Sequence, residues 1–338
     1  MKKVLVTGGT GYVGSWVTRF LLEAGYDVQL AGRNPNNSKK HAALKEIAQR
    51  SNGNLTVWEA DLLQEGSYDQ PMKGCEVVFH IASPFSIKVK DPKRDLLDPA
   101  LNGTNNVLQS VNKTDSVKRV VLTSSVAAIY GDNADMRDQG LEQFDEQYYN
   151  STSSLMHQPY SFSKVCAEQS AWKINKEQKR WSMVVINPGL VWGPVIHKHS
   201  QSESITLMND ILRGKFAFGV PSLNFGCVDV RDVARAHLLA AENNTLQGRH
   251  ILVNETLSMF QLTKIAARLF GARFKFPRSE TPKWIMIAIG PVFGVTRKFI
   301  RRNVGYPIAF SNEKSKKEMG IEYTPIVSTI EDMINSLM

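Results

Sequence analysis

The sequence predicts an α/β protein: a doubly wound parallel sheet with a smaller, mostly helical C-terminal lobe. Three observations carry that prediction. An apolar run at residues 3–7 passes into a turn with glycines at 8, 11 and 14 and then into a helical pattern. Strand-like apolar runs and amphipathic helical patterns alternate from there to Pro188, the rhythm of a parallel sheet covered on both faces. Beyond Pro194 the rhythm breaks into short helices and extended pieces.

Each element has its own justification. Residues 3–7 are short, apolar and β-branched, as a buried strand is. Residues 15–24 set Trp16, Val17, Phe20 and Leu21 at helical spacing and stop at Gly25. Residues 26–32 and 55–60 read as the second and third strands. Residues 77–81 and 119–123 are continuous apolar runs of the kind buried on both faces of a sheet. Helical patterns cover 99–111 and 160–178, and a strand over 183–187 is stopped by Pro188-Gly189. In the lobe, 197–203 is a polar loop, 205–213 a helix, 224–230 an extended stretch and 231–242 an Ala- and Leu-rich helix. These elements divide the chain into a sheet domain over 1–190, to which 224–245 returns, and a lobe formed mainly by 191–223 and 246–338.

With 338 residues, 42% of them hydrophobic and 22% charged, the composition is that of an ordinary globular enzyme. The net charge of +9 reads as scattered, with clusters at Lys39-Lys40, at Lys88, Lys90, Lys93 and Arg94, and at Arg297-Lys298 with Arg301-Arg302. No cationic stripe is interleaved with aromatics, which argues against nucleic acid as a partner. The charge is expected to form a solvated surface that also attracts a phosphorylated cofactor. Cys75, Cys166 and Cys227 are odd in number and far apart. They predict free thiols in a reducing, cytoplasmic setting and no metal site. The apolar run over 284–295 is broken by Gly290 and Pro291 and falls short of the roughly 18 residues of a membrane span. It is expected to be a buried helix of the lobe. Contact of 284–302 with a membrane surface is the alternative.

The glycine turn Gly8-Gly9-Thr10-Gly11-Tyr12-Val13-Gly14 follows a strand and opens a helix. In that context glycines allow close approach of a pyrophosphate to the backbone, and the helix start supplies free N–H groups and a positive dipole end. A dinucleotide site that prefers NAD carries an acidic residue about twenty positions on. Here the chain reads Ala31-Gly32-Arg33-Asn34, and a guanidinium there suits a 2′-phosphate, with Lys40 as a second charge. NADP(H) is therefore the expected cofactor. Asp61, beside Leu62, is placed to accept from the adenine amine.

Thr123-Ser124-Ser125 closes a strand and brings hydroxyls to the carboxyl edge of the sheet. Tyr160 and Lys164 stand at i and i+4 near the start of a long helix and so share a face. A phenol titrates near 10, and a lysine cation one turn away favours its ionised form. The pair is suited to general acid–base chemistry, with Lys164 expected to lower Tyr160 towards working pH.

Several segments together resemble the extended short-chain dehydrogenase/reductase group, in its dihydroflavonol reductase-like branch of aldehyde and ketone reductases. They are residues 7–14, Arg33-Asn34-Pro35, Phe79-His80-Ile81-Ala82-Ser83-Pro84, Thr123-Ser124-Ser125, 160–164 and 187–194. The resemblance implies a Rossmann-type domain. It implies that Ser125 holds the substrate oxygen, that Tyr160 passes the proton, and that Lys164 binds the nicotinamide ribose. It further implies that Gly8, Thr10, Gly11, Tyr12, Val13, Gly14, Ile81, Ala82, Ser83, Thr123, Pro188, Gly189 and Leu190 line the cofactor. Ser83, Phe85, Tyr130 and Cys227 are implied substrate contacts. The cinnamoyl-CoA reductases of this branch carry Asn-Trp-Tyr-Cys-Tyr around the catalytic Tyr, where this chain has His157-Gln158-Pro159-Tyr160-Ser161. Tyr130 stands where flavonoid reductases have Asn. A generic small-molecule carbonyl compound is therefore the expected substrate, and both a monomer and a homodimer fit the pattern. Two alternatives share these motifs: a sugar-nucleotide epimerase or dehydratase, and a non-catalytic NADP(H)-sensing protein. Val126-Ala127-Ala128 after Ser125 lacks the acid pair that a dehydratase uses there.

Overall fold

The computed structural model describes residues 1–83, 89–197, 200 and 202–338. Strands and helices alternate at first: β1 (Lys3–Thr7), α1 (Tyr12–Glu23), β2 (Asp27–Gly32), α2 (Ser38–Arg50), β3 (Asn54–Glu59), α3 (Asp69–Met72) and β4 (Val77–His80). Then follow α4 (Asp98–Lys113), β5 (Arg119–Thr123), α5 (Ala134–Asp138), α6 (Pro159–Lys176) and β6 (Ser182–Pro188). The chain continues through β7 (Leu190–Trp192), α7 (Glu203–Leu212), β8 (Val220–Pro221), β9 (Asn224–Asp229), α8 (Val230–Glu242), β10 (Gly248–Leu252) and β11 (Glu255–Ser258). It ends with α9 (Met259–Phe270), β12 (Glu280–Thr281), α10 (Lys283–Ile289), α11 (Arg297–Asn303), α12 (Glu313–Met319) and α13 (Ile326–Leu337).

Seven strands form one parallel sheet in the order β10-β6-β5-β4-β1-β2-β3. Alternate strand residues feed its two faces. Val4 and Val6 pack with α1, α2 and α8, and Leu5 packs with α3, α4 and α6. Burial on both faces is why these strands read as continuous apolar runs. From β1 the chain winds outward to β2 and β3, then crosses back to β4 on the other side. The crevice outside the carboxyl ends of β1 and β4 is thus the topological switch point, where ligands of open α/β sheets bind.

Several expectations need correction. Helix α1 begins at Tyr12, three residues earlier than the expected start at residue 15, so the glycine turn is shorter than it reads. Lys40 lies in the first turn of a helix that the sequence reading does not predict, α2, capped by Asn37. Strand β9 joins a three-stranded sheet with β7 and β11, while β10 completes the central sheet. Residues 248–252, which the sequence places in the lobe, thus form an edge strand of the central sheet. Arg249 and His250 disguise β10 as a surface segment, but both are buried and paired. Helix α10 is not a buried stripe either, because it buries none of its residues. Among the described residues no helix is long and apolar enough to cross a membrane.

Candidate active site

Three chain segments meet at the switch point. The glycine turn after β1 is held by the Gly11 N–H donating to the Gly8 carbonyl at 2.9 Å, and by Ser15 N–H donating to Gly11 at 2.9 Å. A Cβ on Gly14 would stand 2.2 Å from the Gly8 oxygen, so only glycine lets the helix start this close to the turn. Gly8 has φ +69° and lies against Ala82, whose Cα would be 2.7 Å from an added Cβ. Helix α1 has Gly11 at its N-cap and no side-chain cap, which leaves its first N–H groups for a ligand. Tyr12 contributes only backbone there: its ring is buried and its hydroxyl donates to the Gly193 carbonyl at 2.6 Å. The Thr10 carbonyl bonds to the His197 ring at 2.9 Å. Val13 is half-buried at the helix start.

The loop after β4 is pinned from below. Ala82 N–H donates to Thr7 Oγ1 at 3.1 Å, and Thr7 Oγ1 lies 2.9 Å from His80 Nδ1. Burial, with Lys164 adding to it, lowers His80 to about 3, so the ring stays neutral. Ile81 and Ser83 are half-buried beside it. Phe85 lies outside the described residues. Ser83, Leu62, Thr123 and Lys164 line one small cavity together with His80 and Glu168.

Arg33 at the end of β2 and Lys40 on α2 are both exposed. Asp61 Oδ1 accepts from Leu63 N–H at 2.9 Å, and Asn106 holds that loop by donating to the carbonyls of Leu62 and Gln64 at 3.1 and 2.6 Å. Asn106 escapes sequence reading because it sits unmarked in the middle of α4. A dinucleotide fits this cradle on three counts: glycines that a Cβ would block, an uncapped helix start, and exposed cations at the end of β2.

At the end of β5 the three hydroxyls divide. Thr123 Oγ1 lies 2.7 Å from His237 Nε2, while His237 Nδ1 faces the Val233 carbonyl at 2.7 Å. Burial keeps His237 neutral, at about 4, and its Nδ1 serves the Val233 carbonyl, so Thr123 donates its hydroxyl proton to His237 Nε2. Ser124 is buried and donates to Glu168 Oε2 at 2.5 Å. Ser125 is half-buried and its Oγ accepts from Ala127 N–H at 3.1 Å, and among the described residues its own proton has no acceptor. The geometry thus separates a structural Ser124 from an available Ser125.

Helix α6 presents Tyr160 and Lys164, with the Lys164 Nζ 5.7 Å from the Tyr160 ring centroid. Burial lowers Lys164 to about 8, against the opposing charges of Glu168 and Glu203. Tyr160 departs from expectation. Burial and the Glu203 carboxylate push it well above the ordinary phenol value. One turn beyond Lys164 comes Glu168, buried, paired with Arg249 at 2.6 Å and accepting from Asn187 at 2.9 Å. Sequence reading missed Glu168, yet its i+4 spacing from Lys164 was the available signal.

Gln158 has φ 55°, and its Nε2 donates to the Gly131 carbonyl and to Asp132 Oδ1, the latter at 2.7 Å. Asp132 also takes His157 at 2.8 Å, Arg302 at 2.7 Å and Asn303 at 2.6 Å. Burial works to raise Asp132, but these donors win and hold it below the usual carboxylate range. Tyr130 stacks on Phe310 and Phe144 at 5.3 and 5.8 Å. Cys227 is fully buried on β9, its thiol pushed up to about 12 by burial. Pro188, Gly189 and Leu190 make the crossover from β6 to β7, where a Cβ on Gly189 would stand 2.3 Å from the Gly226 oxygen.

The model of the NAD dependent epimerase/dehydratase family matches residues 4–253. A cinnamoyl-CoA reductase of Medicago truncatula is 37% identical over 337 residues, 99% of this chain and 95% of that protein. A bifunctional dihydroflavonol 4-reductase/flavanone 4-reductase of Malus domestica is 30% identical, covering 92% of this chain and 87% of its own. Among solved structures, the yeast methylglyoxal/isovaleraldehyde reductase Gre2 complexed with NADPH superposes with a TM-score of 0.79 at 28% identity, over 99% of this chain and 98% of that one.

Proposed function

The chain belongs to the NAD dependent epimerase/dehydratase family, and within it we propose a reductase of aldehydes and ketones that uses NADPH and runs in reverse as a secondary-alcohol dehydrogenase. It is an NADP-dependent oxidoreductase, akin to the named reductases. The observation that carries the finer reading is that α6 sets Tyr160 and Lys164 on one face, while Ser125 at the end of β5 has, among the described residues, a hydroxyl proton with no acceptor.

The turn 8–14 and the start of α1 would take the pyrophosphate, and Arg33 with Lys40 the 2′-phosphate. Asp61 would accept from the adenine, and Lys164 would bind the nicotinamide ribose. When bound, the cofactor supplies a hydride from nicotinamide C4. Ser125 Oγ–H donates to the carbonyl oxygen and holds it against Tyr160, whose hydroxyl delivers the proton to that oxygen. Pushed above the ordinary phenol value by burial and Glu203, Tyr160 carries its proton at neutral pH, the form that reduction needs. The Lys164 cation steadies the phenolate that remains.

The sugar-nucleotide reading is disfavoured by the turn after Ser125, where Val126 and Ala128 are buried and no acid pair stands. The test is NADPH against NADH consumption with aldehydes, α-ketoesters, diketones and a cinnamoyl-CoA thioester. Turnover with NADPH should fall by about 10²–10⁴-fold in Tyr160→Phe, the range of general acid catalysis. Tight NADPH binding with no turnover on any carbonyl would instead favour the sensing protein.

A further inference from the structure

Ten Lys or Arg residues and a single acid, Glu280, lie between Thr256 and Asn312, so the chain's entire net charge of +9 sits in this one segment. The charge is therefore not scattered, as first reading suggests; the rest of the chain is balanced. Within this segment lies the hairpin of α10, the 3₁₀ turn Gly290–Phe293 and α11. Its apolar side chains face water: Trp284 is 72% exposed, Val292 84%, Phe293 75% and Ile289 43%. Single exposed apolar residues are ordinary, but a cluster of large ones on an acid-free hairpin marks an interaction surface.

The cations are arranged around that cluster. Lys283 Nζ donates to the Arg301 carbonyl at 3.0 Å, and Arg297 Nε to the Ile287 carbonyl at 3.4 Å, so both lie against the hairpin itself. Arg297, Lys298 and Arg301 are exposed. Among the described residues none of these four has a carboxylate partner, whereas Arg302 on the same helix is taken up by Asp132, Asp135 and Asp138. A hairpin that exposes Trp, Phe, Val and Ile and carries four cations without carboxylate partners matches the chemistry of an anionic lipid surface. Apolar groups enter the headgroup boundary while Lys and Arg reach the phosphates. A second copy would bring one strongly cationic segment against another, and nucleic acid would leave the apolar tip wet.

We propose that the 283–301 hairpin docks the protein peripherally on an anionic bilayer, Trp284, Val292 and Phe293 entering the interface and Lys283, Arg297, Lys298 and Arg301 meeting the headgroups. This docking does not depend on the reductase reading. Sedimentation with vesicles tests it, using phosphatidylcholine alone and phosphatidylcholine mixed with phosphatidylserine. The full chain should bind the mixed vesicles and release them as salt rises. Each cation near such a surface strengthens adsorption about fivefold, so Lys298→Glu with Arg301→Glu should weaken binding by at least about tenfold. Trp284→Ala with Phe293→Ala should weaken it comparably, with the thermal midpoint unchanged in both variants. Absent or salt-insensitive binding would overturn the proposal. So would equal binding by the variants, or a dimer of the free protein that Phe293→Asp dissociates, since the face would then be covered by a second copy.

Discussion

Lys164 has lost most of its contact with water, and that loss sets the direction in which its proton affinity moves. Burial lowers it to about 8, while Glu168 and Glu203 resist. Below that pH it is a cation, able to hold a ribose and steady a phenolate; above it the charge is lost. Tyr160 moves the other way and keeps its proton over the same range. Reduction should therefore be level near neutrality and fall about tenfold per pH unit above about 8. The pH profile of kcat for NADPH consumption checks this, and a rate level to pH 10 would mean that Lys164 is not the titrating group. Arg33 gives a second prediction at the same scale. Exposed at the end of β2, it should serve only a 2′-phosphate. Arg33→Ser should raise KM for NADPH about 10–100-fold, the worth of a charge-assisted hydrogen bond, and leave KM for NADH unchanged. Equal effects on both would place the cofactor's phosphate elsewhere.

At the scale of elements, the start of α6 decides where Tyr160 stands. Gln158 takes a left-handed conformation and is, among the described residues, the one non-glycine to do so. That costs about 1–3 kcal/mol unless surrounding bonds enforce it. The enforcing bonds are those from its side chain to Gly131 and Asp132. Gln158→Leu should lose about 1–3 kcal/mol of stability by urea unfolding and lower kcat, leaving KM for NADPH unchanged because the cradle lies elsewhere. A fully active Gln158→Leu protein would show that the helix start holds without the latch. None of this latch is legible in sequence, because His157, Gln158 and Asp132 meet only through the fold. What was legible follows from burial. Strand β5 has the limits its apolar run predicts, and the turn 8–14 declares itself through its glycines. Helix α2 went unread because only His41 and Leu44 are buried along it. Helix α10 was misplaced because an apolar composition does not say what covers it.

Across the whole molecule, the last strand of the central sheet comes from residues 248–252 and carries Arg249 into the interior. This Arg pairs with Glu168 on α6 at 2.6 Å, donates to the Glu146 carbonyl at 2.9 Å, and lies 4.0 Å over the Tyr149 ring. One side chain thus ties the sheet edge, the catalytic helix and the 128–149 connection. The polar residues that hide β10 in the sequence are the ones that fasten it. Removing one partner of a buried pair leaves the other charge without compensation, at about 3–5 kcal/mol. Arg249→Met should lower the stability by that amount in urea unfolding. Glu168 is one of the two charges that hold the proton affinity of Lys164 up, and Glu168→Gln removes that charge directly. The alkaline fall in the reduction rate should then begin at lower pH in Glu168→Gln. An alkaline limb unmoved in Glu168→Gln would confine the Arg249–Glu168 pair to holding the sheet edge. A limb shifted to lower pH would make the residue that fastens the late strand part of what sets the working pH of Lys164.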